Sequence, residues 1–209
     1  MVERMISPRR LGEIEIRRGN NVTFSRIELK HLLRAWVAIS IAFAILLGGL
    51  ASIQTFGSAL LLSALTVGVG FLAHEIAHKF TAQHYGCMAE FRAFDPMLIL
   101  AIFMSFFGFV FAAPGAVMIR GAISREQNGK ISLAGPLTNS ILALIFLIIL
   151  NITQLNIAHI GFQINAYLAV FNMLPFGAFD GAKVFRWNKT AFAVGIGIPI
   201  LLMIIHYLL

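Results

Sequence analysis

Long apolar runs separated by short polar clusters dominate this chain and decide its class before any motif does. From Trp36 to Ala73 no residue carries a formal charge. That length suits two crossings broken near GGLASIQTFGS, predicting spans at about 35–53 and 57–82. Three further runs, at 133–150, 157–176 and 190–209, read the same way. The run 96–119 is interrupted by Gly108, Pro114 and Gly115. It reads as part of a re-entrant element over 91–125, because non-helical backbone at membrane depth survives only against protein or a wet cavity. Ahead of the first span, EIEIRRGNNVTFSRI alternates apolar and polar residues around Gly19-Asn20-Asn21, predicting a short surface hairpin. The expected fold is an all-α polytopic membrane protein with about five transmembrane helices, a re-entrant β-hairpin or loop and that N-terminal hairpin. It divides into a surface segment over 1–34 and one membrane-embedded domain over 35–209.

Composition agrees. The chain is 59% hydrophobic and 12% charged, about half the charge of an ordinary soluble domain. A net charge of +7 first suggests nucleic acid. However, eight of the sixteen basic residues precede Trp36, and the rest cluster over 79–130 and 183–189. The turns near 54 and 151–158 carry none. This is the distribution of a chain oriented by the positive-inside rule, so a lipid bilayer, and not nucleic acid, is the expected partner. With every basic segment in the cytoplasm the spans alternate cleanly, provided 96–119 returns on the side it entered. The expected location is a multi-pass place in the cell membrane, with the N-terminus cytoplasmic.

Against that background FLAHEIAHKF, residues 71–80, is anomalous. His74-Glu75-Ile76-Ala77-His78 fits H-E-x-x-H, which on a helix puts both imidazoles on one face within reach of one zinc ion. Glu75, the next residue round the helix, then serves as general base toward the water that zinc activates. Lys79, which follows, reads as a residue snorkelling to the interface. A zinc hydrolase normally has three protein ligands. The candidate third is Asp180 in FNMLPFGAFDG, the only charged residue between Ile131 and Ala182. It reaches the histidines only if 96–119 does not cross, the topology the charges already favour. His31, His84, His159, His206 and Cys87 have ordinary interfacial or packing explanations.

These residues resemble the site-2 protease family of intramembrane zinc metalloproteases, in particular its compact archaeal-type members. The likeness covers about 71–189 and rests on three motifs in order. They are His74-Glu75-x-x-His78 with Ala82 and Gly86, then AGPLTN at 134–139, then Asn172-x-x-Pro175-x-x-x-x-Asp180-Gly181. The chain departs at Phe176-Gly177, where many members have a second proline, and at Ala182, where many have another glycine. The resemblance implies one zinc per chain held by His74, His78 and Asp180, with Glu75 catalytic. It also implies a neutral oxyanion donor at Asn139 or Asn172. A strand in the re-entrant element, best placed at FGFVFAAPGAV, would pair with extended substrate. The implied activity is cleavage of single-span membrane proteins in or near the membrane, on the cytoplasmic side, as in regulated intramembrane proteolysis. The alternative is a related non-proteolytic chaperone or adaptor that binds membrane spans. All four chemical residues are retained here, which disfavours it.

Overall fold

The computed structural model describes residues 23–48, 52–110 and 114–208; the hairpin expected around Gly19 lies outside them. Helix α1 (Arg26–Gly48) begins nine residues before the span expected at 35. Two contacts account for this. Ser25 Oγ caps the first turn by accepting from the Glu28 N–H at 3.1 Å. The Glu28 side chain, rather than facing water, is fully buried against Lys79. Lys79 therefore does not snorkel: it is 1% exposed, ion-paired with Glu28, and lies 3.9 Å from the Phe24 ring centroid. A charged first turn joins the apolar helix because its charge is neutralised inside the protein.

The second span runs continuously over Ile53–His84. It consists of α2 (Ile53–Ser63), a π-helical stretch at Ala64–Gly68, and α3 (Val69–His84). Ser52 and Thr55 form a capping box at its start. At the π stretch, Trp36 Nε1 of α1 donates to the Ala64 carbonyl at 3.1 Å. The indole can lie there because Gly68 has no side chain; a Cβ would stand 2.5 Å from Nε1.

Strand β1 (Met88–Ala93), helix α4 (Asp95–Ser105) and strand β2 (Gly115–Arg120) form a strand–helix–strand unit in the place of the expected re-entrant element. The strands pair antiparallel from Met88↔Arg120 to Ala93↔Gly115. The chain thus leaves the sheet at Ala93 and returns at that residue's own partner. Between them α4 has 11 residues, about 16 Å of helix against the roughly 30 Å of a bilayer's apolar core. Of the segment FGFVFAAPGAV expected to hold the strand, the last three residues, Gly115 to Val117, open β2, whereas Phe107 and Gly108 lie in a turn after α4, Phe109 and Val110 in coil, and 111–113 outside the described residues. The missed strand is MAEFRA, which turns Ala89 and Phe91 inward. Its alternation spans six residues, two of them charged (Glu90 and Arg92), so it reads as a loop beside the longer apolar runs.

Helices α5 (Arg125–Thr153), α6 (Asn156–Asn172), α7 (Asp180–Trp187) and α8 (Lys189–Leu208) complete the fold. Helix α5 is central, packing against α3, α6, α7 and α8. One apolar cluster (Leu32, Ile39, Val67, Phe71, Phe91, Leu98) joins α1, the 53–84 helix and the strand–helix–strand unit. Another (Ala143, Leu147, Phe162, Ala166, Leu202) joins α5, α6 and α8. Among the described residues, α1, the 53–84 helix, α5 and α8 are long and apolar enough to cross a membrane. Helix α6, in the place of the span expected at 157–176, has 17 residues, near the lower limit for crossing.

Removing the indole donor while keeping an aromatic ring tests the π stretch. Trp36→Phe is expected to cost about 1–3 kcal/mol, the usual penalty for an orphaned buried carbonyl. The thermal midpoint of the detergent-solubilised protein should fall, with faster amide exchange over 64–68.

Candidate metal centre

Helix α3 carries His74 and His78 one turn apart, buried, with ring centroids 4.6 Å apart. Helix α5 fixes both rings from behind. His78 Nδ1 donates to the Ile131 carbonyl at 2.7 Å. Because a carbonyl only accepts, that nitrogen carries the proton. His74 Nδ1 lies 2.6 Å from Asn139 Oδ1. The Asn139 amide donates to the Gly70 carbonyl at 3.1 Å and to Asn165 Oδ1 at 3.0 Å. Its oxygen is therefore free to accept, and His74 too is protonated at Nδ1. Both Nε2 atoms are left as bare lone pairs on the same side.

Asp180 arrives from the other end of the chain as the first residue of α7, where a helix N-terminus favours a carboxylate. The following glycine makes this approach possible: a Cβ on Gly181 would collide with the Met173 carbonyl at the end of α6. Asp180 Oδ2 lies 2.9 Å from His78 Nε2 and 3.3 Å from His74 Nε2, and the two nitrogens are 2.9 Å apart. The second oxygen, Oδ1, accepts from Lys183 Nζ at 3.3 Å.

Three acceptor atoms thus converge without a proton to share, an arrangement that repels itself unless a cation sits among them. Tetrahedral zinc with bonds of about 2.0–2.1 Å sets its ligand atoms about 3.3 Å apart, close to the spacings found. Each ligand has the outer partner that metal ligands usually have: Asn139, Ile131 and Lys183. Gly135 supplies the room, since a Cβ there would stand 2.5 Å from His78 Nε2 and 2.6 Å from His74 Nε2. The residues fit a three-ligand metal centre. Glu75, one position past His74 and about 100° round the helix, is buried beside it.

Asn139 sits differently from its expected role. Both its amide protons are committed to Gly70 and Asn165, so its contacts are those of a group that orients His74, with no proton left for an oxyanion. Asn172, at the end of α6, donates to the Leu168 carbonyl at 2.9 Å; an amide has a second proton to offer. Asn165 escaped the sequence reading because a lone asparagine in an apolar run has no local signature. Gly135 was visible only as part of AGPLTN. His159 and His206 meet with ring planes tilted by 59° and centroids 5.3 Å apart, beside Phe162. Cys87 is buried, and His84 is exposed beside Tyr85.

Asn139→Leu, which keeps bulk but frees the His74 ring, is expected to weaken zinc binding about 10–100-fold in chelator competition. Gly135→Ala should go further and abolish stoichiometric metal.

Comparison with known proteins bears on what such a centre does. A curated protein of Methanocaldococcus jannaschii named "Putative zinc metalloprotease MJ0611" is 45% identical over 148 residues, which is 68% of this chain and 77% of that protein. A second from the same organism, "Zinc metalloprotease MJ0392", is 27% identical over 123 residues, 56% of this chain and 31% of its own length. No family model matches the chain, and no solved structure does. At that identity and coverage of the first relative, with a three-ligand site already formed, the chain belongs to this zinc metalloprotease family.

Proposed function

We propose that this chain is an intramembrane zinc metalloendopeptidase of the site-2 protease type, which cuts single-span membrane proteins in or beside their membrane segments. The observation that carries this reading is the position of the centre. His74, His78 and Asp180 meet, buried, between helices long and apolar enough to lie in a bilayer. The basic segments ahead of and between these helices support an orientation with the N-terminus and the centre toward the cytoplasm.

Zinc held by these three residues would supply a Lewis acid that polarises water and the substrate carbonyl. The other roles fall to the chain. Glu75 takes a proton from the attacking water and returns it to the leaving amine nitrogen. Lys183, through Asp180 Oδ1, keeps the other carboxylate oxygen aimed at the ion. Asn139 and Ile131 hold the Nδ1 protons, so that both Nε2 atoms stay available. Asn172 is the remaining candidate for donating to the oxyanion.

A substrate helix hides its carbonyls in its own hydrogen bonds, so it must be cut extended. Among the described residues, the β1–β2 sheet leaves one side open to such a strand. On the outer edge of β1, the Phe91 and Ala93 N–H groups already donate to Glu28 Oε1 (2.9 Å) and His31 Nδ1 (3.0 Å). The outer edge of β2, at Gly115, Val117 and Ile119, is the edge we assign to substrate.

Purified protein with a model single-span substrate tests this. One tightly bound zinc per chain is expected, with cleavage lost to a chelator. Glu75→Gln should retain zinc and lose at least about 100-fold in rate, the usual share of a general base. Wild-type-like cleavage by Glu75→Gln would refute the mechanism; substrate binding without cleavage by the wild-type protein would favour a span-binding adaptor.

A further inference from the structure

A buried charged pair outside the metal centre has no part in the chemistry above. Glu28 is fully buried and Lys79 is 1% exposed. The Glu28 carboxylate is divided between two elements. Oε2 pairs with Lys79 Nζ, on the residue directly after the ligand His78, and Oε1 accepts from the Phe91 N–H at 2.9 Å in the middle of β1. One side chain therefore ties the helix carrying the metal ligands to the sheet, and both to α1. Two residues along the same edge, His31 of α1 accepts from the Ala93 N–H. Burying a pair of charges is seldom a net source of stability, and well-packed apolar replacements often do as well. What such a pair does fix is position: the two oxygens leave β1 one height relative to α3. A strand slipped by two residues keeps its faces, but it would set the Ala89 or Ala93 N–H, in place of that of Phe91, against the Glu28 carboxylate and take Ala93 away from His31.

We infer that Glu28, through Lys79 and the Phe91 amide, is a positioning residue that sets the register of the β1–β2 sheet against the metal centre and thereby selects which peptide bond is cut. This rests on the proposed proteolytic reading, with substrate paired along β2. A strand added to β2 inherits the sheet's height, so a fixed sheet presents one carbonyl to the centre. A sheet freed to slide presents neighbours one or two residues away.

The test compares wild type, Glu28→Ala, and the double variant Glu28→Met/Lys79→Met, which removes the charges but keeps an apolar fill. All are made as the full chain in detergent with zinc bound. Mass spectrometry of the products from a model single-span substrate reads the cut position. Wild type is expected to cut one bond. Both variants should keep about one zinc per chain and spread cleavage over bonds one or two residues away, with kcat falling more than KM rises. Cleavage at the wild-type bond alone, reduced only in proportion to the folded fraction, would overturn the inference. Hydrogen exchange of the Phe91 and Ala93 amides gives a readout independent of activity. It should quicken on the order of tenfold in the double variant, with Glu126→Ala, which breaks an exposed pair with Lys130 away from the sheet, as the unaffected control. If wild type cuts nothing, the proteolytic reading fails by itself; unchanged exchange at Phe91 in the double variant would then still overturn the positioning role.

Discussion

Three lone pairs aimed at one point, in surroundings with little water to soften their repulsion, are the constraint around which this fold is arranged. An imidazole left free would turn a nitrogen toward any nearby donor. Here neither ring is free, because each has its Nδ1 proton fixed by α5. The carboxylate is likewise held, with one oxygen on Lys183 and the other facing the nitrogens. Partners that fix ligand orientation are conventionally described as secondary to the ligands. In this chain they come first in explanatory order, since without them the three atoms would have no reason to meet.

Helix α5 does most of this work through residues that are individually poor helix formers. Gly135 leaves the gap in which an ion would be seated. Pro136 cannot donate to the Ser132 carbonyl and crowds it, loosening the turn where Ile131 offers its oxygen to His78. Asn139 passes a hydrogen-bond chain from His74 to Asn165 and, through the Asn165 Nδ2 donor, to the Gly161 carbonyl of α6. Three helices are thus locked to one imidazole by amide groups alone. The buried Glu28–Lys79 pair does something comparable for α1 and the sheet. Losing one partner of such a pair costs about 3–5 kcal/mol, so the two charges stand or fall together.

The sequence made the chemical residues legible and the frame that aims them much less so. His74, Glu75 and His78 declare themselves because their spacing is short-range and their surroundings apolar. Asp180 stands out because it is alone in a long uncharged stretch. The re-entry of 96–119 is an expectation from the distribution of basic residues; what the fold shows there is an 11-residue helix between paired strand ends. Lys79 was misread because its partner lies 51 residues away, and nothing local distinguishes a buried lysine from a snorkelling one. His31 looked like one more basic-segment residue until the strand edge it caps was in view. Strand β1 was missed because six alternating residues are a faint signal beside twenty-residue apolar runs. Long-range pairing is what a single sequence conceals.

The π-helical stretch at Ala64–Gly68 has a wider consequence. One extra residue in a helical turn advances everything beyond it by about 100°. The part of the 53–84 helix before the joint and the histidine-bearing part after it are thereby set at independent rotational phases, with the Trp36 indole latching the joint. Substitutions that adapt the first half to different surroundings need not re-aim the second. A single-residue deletion inside the joint would restore an unbroken helix and swing both imidazoles away from α5. The bilayer-facing and chemical halves of one helix can in this way diverge at separate rates while remaining one continuous rod.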